Sequence, residues 1–185
     1  LSPIKIMPTS KHIRVHSYES MGTFDGPGLR YVVFTQGCPF RCLYCANPDT
    51  IDAVGDSKLT DPDYILEQAI SMKPFFGKRG GITFSGGDPM YQAEAFTELA
   101  RRIRDELHRT IWCYTGFTFE QVLADPVMSR MLPYLEVLVD GPFVAAQRSL
   151  DLLFRGSSNQ RLIDVQRSLR ENKVVEYEYN PYPTF

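Results

Sequence analysis

Six short runs rich in β-branched, aliphatic and aromatic residues recur along the chain, at 13–16, 29–35, 82–84, 110–114, 135–139 and 162–165, and helical patterns separate several of them. This alternation is the strongest constraint on the fold. One helix is announced by Asp61 as cap and Pro62 in the first turn, and continues with Ile65, Ala69 and Met72 on one face. A second runs over 92–107, where Phe96, Leu99, Ile103 and Leu107 repeat at three and four while Glu94, Glu98, Arg101, Arg102 and Asp105 fill the other side. A shorter helix is predicted over 118–123, with more helix near 128–132. Strands joined through helices imply right-handed crossovers and a mostly parallel sheet. A complete eight-stranded barrel takes about 250 residues. The chain has 185, so a shortened, open (β/α) partial TIM-type barrel is expected.

Residues 1–185 read as one domain, with a core at about 12–166 and a tyrosine- and proline-rich tail, 171–185, that commits to no element. With 43% hydrophobic and 23% charged residues the composition is that of a globular protein, not of a disordered chain. No apolar run approaches the roughly 20 residues that span a bilayer. A net charge of -2 gives no general attraction to phosphate backbones, and the one basic cluster, Arg101, Arg102 and Arg104, reads as a helix's wet face, so no nucleic-acid role is expected. No leader pattern opens the sequence, although Leu1 is not a start methionine, and clustered thiols fit a reducing compartment. A cytoplasmic location is the expectation.

The unusual residues fall just after strands, where parallel α/β folds place their chemistry. Cys38 follows the second run, Ser85 to Pro89 follows the third, Thr115 and Gly116 the fourth, and Asp140 to Pro142 the fifth. These segments should meet on one rim. Cys38, Cys42 and Cys45 stand in a C-x3-C-x2-C spacing on one short loop. Thiolates are the natural ligands of iron-sulfur centres, and three of them on a cluster of four irons leave one iron open to a substrate. The alternatives are a structural zinc ion or simply buried thiols. Zinc asks for four ligands, usually in two spaced pairs. Cys113 stands alone, and His12, His16 and His108 show no ligand spacing. At a strand end, Cys113 reads as a packed core cysteine rather than a fourth ligand.

Gly86, Gly87 and Asp88 lie between a strand and a strong helix. They make either a plain turn or a place where backbone approaches a ligand and a carboxylate meets an ammonium group. Asp25 to Gly28 suits a type II turn. Tyr44 has an aromatic body that either covers a ligand or packs the loop. Thr115 and Asp140 either line a pocket or satisfy local backbone, Asp140 by capping a following turn.

The cysteine spacing, with an aromatic residue before the third cysteine, resembles the signature of the radical S-adenosylmethionine superfamily. Asp25-Gly-Pro-Gly28 before it and Asn47-Pro48 after it are similar to the activases of glycyl radical enzymes, and the likeness runs from about 18 to 165. The resemblance implies a 4Fe-4S cluster on Cys38, Cys42 and Cys45, whose open iron chelates S-adenosylmethionine. Reductive cleavage of that cofactor then gives methionine and a 5'-deoxyadenosyl radical. It also implies that Gly86, Gly87 and Asp88 contact the methionyl amino group, with aspartate where the superfamily usually has glutamate. Tyr44 would lie against adenine, Thr115 and Asp140 would line the cofactor pocket, and Asp25 would face the substrate; Arg30 is a weaker candidate.

The C-terminal half, with Leu138 to Phe143, Tyr114 to Gly116 and the F-R-G-S-S-N-Q-R run at 154–161, resembles the activases of anaerobic ribonucleotide reductase. The first half is equally similar to pyruvate formate-lyase activases, which usually carry D-T-N-G and L-D-L-K at the corresponding places. The reductase is therefore the expected partner and the lyase the alternative, with flavodoxin or ferredoxin as electron donor. An iron-sulfur electron carrier and a small-molecule radical enzyme are the remaining readings.

Overall fold

The computed structural model describes residues 12–54 and 57–181. The native N-terminus and the last residues of the tail lie outside them. The strands are β1 (Ile13–Gly22), β2 (Arg30–Thr35), β3 (Lys58–Thr60), β4 (Gly81–Gly86), β5 (Thr110–Tyr114), β6 (Val137–Asp140) and β7 (Arg161–Asp164). They form one open sheet in the order β3-β1-β2-β4-β5-β6-β7. Its centre, β2-β4-β5-β6, is parallel, and β1, β3 and β7 run antiparallel to their neighbours at the two edges. The expected partial barrel is present.

The antiparallel edges have a local cause. Only residues 23–29 join β1 to β2, too few for a crossover, so the pair closes as a hairpin. β1 is accordingly longer than the expected 13–16. The helices are α1 (Pro62–Ser71), α2 (Ala93–Arg102), α3 (Phe119–Ala124) and α4 (Val165–Glu171). Asp61 caps α1, accepting from Asp63 N at 2.9 Å with Pro62 at the first position. Thr118 and Gln121 form a capping box on α3. The pattern expected over 92–107 divides into α2 and a π-helical turn, Ile103–Leu107, which ends at His108 with φ of 54°. Residues Met128–Tyr134 make 3-10 turns instead of an α-helix, with Pro133 inside them.

Strand residues alternate between two faces. Tyr31, Val33, Ile82, Phe84, Ile111, Cys113, Leu138 and Ile163 pack against Ile65, Phe96, Leu99, Ile103, Val122 and Met131 in the main core. Burying each large side chain there stabilises the fold by about 1.5–3 kcal/mol. On the inner face Trp112, Val137 and Val139 meet Phe154, Leu162 and Tyr177. The tail supplies part of this second core. Asp164 N donates to Val175 O at 2.9 Å and Tyr177 N to Leu162 O at 2.7 Å, laying the segment beside β7. Tyr177 then stacks edge-on against Trp112 and Tyr179 against Phe154. Among the described residues no helix is long and apolar enough to cross a membrane.

Candidate functional site

A cleft of about 610 Å³ opens at the C-terminal ends of the parallel strands. Cys38, Cys42, Cys45, Tyr44, Gly86, Gly87, Asp88, Thr115 and Asp25 all line it, so the structure brings together nine of the ten residues singled out from the sequence. Asp140 is the exception. Its buried carboxylate accepts from Phe119 N at 2.7 Å, at the start of α3, and pairs with Arg161 Nη2 at 2.5 Å. The neighbouring Gly141, not Asp140, reaches the cleft. The expected pocket role gives way to the capping role.

The cysteine loop is stitched down from several sides. Gly37 N donates to Thr50 O at 2.8 Å and Cys38 N to Ile51 O at 3.1 Å. Gln36 Nε2 bonds the carbonyls of Asp49 and Asp52, and Arg41 Nη1 those of Cys38 and Phe40. The glycine pair at the end of β4 explains itself by distance. Gly87 N donates to Thr35 O and Asp88 N to Gly37 O, both at 2.9 Å. A Cβ on Gly87 would lie 2.5 Å from Gly37 O. Gly86 has a φ of 91°, which side-chain-bearing residues rarely adopt. Only glycines let this strand end touch the cysteine loop.

Asp88 is fully buried. Its carboxylate accepts from Met90 N at 3.0 Å, Thr115 Oγ1 at 2.9 Å and Gly116 N at 2.9 Å. A carboxylate has about four acceptor positions, so these three donors do not fill it, and the residue lines the cleft. Burial outweighs those three donors and pushes the group up to about 7. Tyr44 is 85% exposed at a φ of 56°, a left-handed conformation costing a bulky residue about 1–2 kcal/mol. The loop thus holds an aromatic ring out in solvent at the cleft mouth.

The donor set decides which inorganic group fits. Among the described residues no three His, Cys, Asp or Glu side chains sit close enough to hold one metal ion. All three thiols nonetheless line one cleft, and a polynuclear cluster spreads its thiolates around several irons. Burial first, then Asp88 and the two other cysteines, push the Cys38 thiol up to about 12. Cationic iron supplies the charge that such crowded thiolates lack. Cys113 is buried on the helix face, where burial holds its thiol well above the ordinary value, and it takes no part in the loop.

Residues 24–163 match the family described as a 4Fe-4S single cluster domain. The chain belongs to that family. Among its relatives, the pyruvate formate-lyase-activating enzyme of Staphylococcus epidermidis is 46% identical over 166 residues, 86% of this chain and 64% of the relative. Those of Clostridium pasteurianum and Escherichia coli K12 are 44% and 34% identical, over 60% and 87% of this chain and 48% and 64% of their own. The chain therefore spans less than two thirds of the length of these relatives. Family and relatives together place it in the radical S-adenosylmethionine superfamily, in the glycyl-radical-enzyme activase group, with a 4Fe-4S cluster and S-adenosylmethionine as cofactors.

The relatives leave one preference unconfirmed. They are pyruvate formate-lyase activating enzymes, so the nearer kinship expected with reductase activases is not supported. The motifs behind that expectation hold the sheet's edge together. Asp140 pairs with Arg161, Asn159 Nδ2 donates to Pro142 O and Gln160 Nε2 to Gly141 O. Architecture of this kind does not identify a partner.

Several cleft residues have no role in the sequence reading: Phe24, Arg148 and Leu150 are not singled out there, and Tyr114 and Arg155 stand only inside motifs of resemblance. Most belong to a strap between β6 and β7 that folds back over the strand ends. Its one visible signal was the polar, glycine-bearing run after Phe154.

Proposed function

We propose that this chain activates a glycyl radical enzyme by taking a hydrogen from a backbone glycine of pyruvate formate-lyase. What carries the reading is the single cleft where three cysteines, the glycine-glycine-aspartate strand end and Asp25 meet at the ends of parallel strands. When bound, the cluster and S-adenosylmethionine supply an electron and a carbon radical able to remove that hydrogen. Cys38, Cys42 and Cys45 hold the cluster. Gly86 and Gly87 admit the methionyl end of the cofactor to the backbone, and the open acceptor position of Asp88 meets its ammonium group. Tyr44 covers the adenine and Thr115, bonded to Asp88, keeps that carboxylate in place. Asp25 faces the incoming glycine segment from the opposite wall. A primary radical reacts with whatever lies nearest, so the partner must bring its glycine to the cleft itself.

One sheet carries every one of these segments, which supports treating the chain as one domain. A flavodoxin or ferredoxin suits the need for a low-potential electron, and a reducing cytoplasm suits the free thiols. The second reading, anaerobic ribonucleotide reductase as partner, draws on the 154–161 run, which resembles that group's activases and supplies Phe154, Arg155, Gly156 and Gln160 to the cleft. The test mixes reduced, reconstituted protein and S-adenosylmethionine with each partner in turn and looks for a glycyl radical by electron paramagnetic resonance. Signal with the lyase is expected. Signal with the reductase alone reverses the choice, and signal with neither, beside turnover of a small molecule, removes the activase reading.

A further inference from the structure

Arg30 is fully buried on the inner face of the sheet, stacked over Trp112 at 5.6 Å. Its hydrogen bonds all go to neutral oxygens. Nε donates to Thr83 Oγ1 and Nη2 to Ile82 O, each at 2.7 Å. Weaker bonds reach Pro27 O and Thr110 O at 3.3 Å and Arg79 O at 3.4 Å. Removing a charge from water without an ionised partner is costly, so this guanidinium is an expensive way to fill a core. Its bonds show where its effect goes.

Thr83 Oγ1, having accepted from Arg30, donates to Asp25 O at 2.8 Å. Pro27, which also accepts from Arg30, lies in the same turn. Gly26 and Gly28 have φ of 129° and 73°. A Cβ on Gly26 would stand 2.8 Å from Arg30 Cδ, and one on Gly28 2.6 Å from Gly80 N. The 25–28 turn is thus clamped between Arg30 and the backbone at 79–80. Beyond the clamp, the Asp25 carboxylate lines the cleft with no hydrogen bond or ion pair among the described residues. Burial raises its pKa, and the charge of Arg30 draws it back.

We propose that Arg30 is a positioning residue that, acting through Thr83 and Pro27, holds the Asp25 carboxylate on the cleft wall met by the partner's glycine segment. This rests on the activase reading above and adds to it the device that fixes the substrate-facing acid. Arg30 touches neither the cysteine loop nor the glycine-glycine-aspartate end, so the device acts on coupling to the partner and not on cofactor cleavage.

Because replacing Arg30 endangers folding, Thr83→Val carries the test, with Thr83→Ser as the conservative variant and Arg30→Lys in support. In the reconstituted protein, hydrogen-deuterium exchange at 24–29 should quicken about tenfold in Thr83→Val, the scale of one lost buried hydrogen bond. Exchange at 38–45, iron content and partner-free cleavage of S-adenosylmethionine should match the wild type. Glycyl radical formed per cofactor cleaved should fall about tenfold by the same reasoning, Thr83→Ser should restore both readouts, and Thr83→Val should add nothing to Asp25→Asn. Unchanged exchange at 24–29 overturns the proposal, as does a parallel loss of iron and cleavage, or an effect that multiplies with Asp25→Asn. If the wild type gives no radical with either partner, the activase reading fails while the exchange experiment still decides whether Arg30 and Thr83 hold the turn.

Discussion

Asp88 makes a pH experiment that isolates one buried carboxyl. Burial holds it at about 7 against an ordinary 3.8, even with bonds from Gly116 N, Thr115 Oγ1 and Met90 N. Between roughly pH 4 and 7 the folded protein keeps a proton that the unfolded chain releases, so stability is full below about pH 4 and is lost as pH rises through 7. A difference of roughly three units at about 1.4 kcal/mol each gives a ceiling of about 4 kcal/mol. Asp88→Asn keeps the shape and an acceptor oxygen while removing the titration. Anaerobic urea unfolding of the reduced, metal-free protein at pH 5 and pH 8 should show the wild type losing at least about 2 kcal/mol more than the variant across that interval. Asp25 and Glu136 are also raised by burial, but they slope both proteins alike. Parallel pH dependences in wild type and variant would refute the reasoning. The same burial links to function: an ammonium placed beside this carboxylate expels its proton, so binding near pH 6 should release acid.

Cys38→Ala, Cys42→Ala and Cys45→Ala should each prevent assembly of an intact cluster, as measured by iron and sulfide after anaerobic reconstitution. Cys113→Ala should keep its iron and cost about 1 kcal/mol of stability from the small void left behind. Asp88→Ala should leave the cluster in place and weaken S-adenosylmethionine binding in equilibrium dialysis. Gly87→Ala drives a Cβ against Gly37 O, so it should cost about 2 kcal/mol and lower iron incorporation by displacing the cysteine loop. Asp140→Ala orphans Phe119 N and half of Arg161's bonding; because Arg161 is partly exposed and keeps Glu120, the loss should be about 2 kcal/mol in thermal unfolding, with cofactor binding unchanged.

The parallel centre of the sheet and the meeting of motifs at its C-terminal ends were legible because periodicity and strand-end placement are local signals. The cysteine spacing gave the cluster loop for the same reason. The antiparallel edges were not, since β3 is three residues long and the direction of β7 is set by its pairing with β6 across the long 141–160 connection, neither of which leaves a local pattern. The tail stayed unread because Tyr177 and Tyr179 are explained only by Trp112 and Phe154, which lie far away in sequence. Asp140 was misplaced by a true observation. It does close a buried strand, but a carboxylate there has two possible neighbours, and Arg161 came from the next strand. The partner preference rested on a resemblance of the C-terminal half, whose residues brace the sheet's edge, and the relatives favour the alternative instead.

The sheet separates the four thiols three to one, with Cys113 sealed behind it. Three is an odd number. When air strips the iron from the loop, one disulfide consumes two of its half-buried sulfurs and strands the last, and the cysteine that might have balanced the count is walled off. Among the described residues no further cysteine is within reach of the stranded thiol, so aerobic handling should leave covalent dimers that a reductant dissolves. Reductant-sensitive dimers on a non-reducing gel would then signal that the metal has been lost.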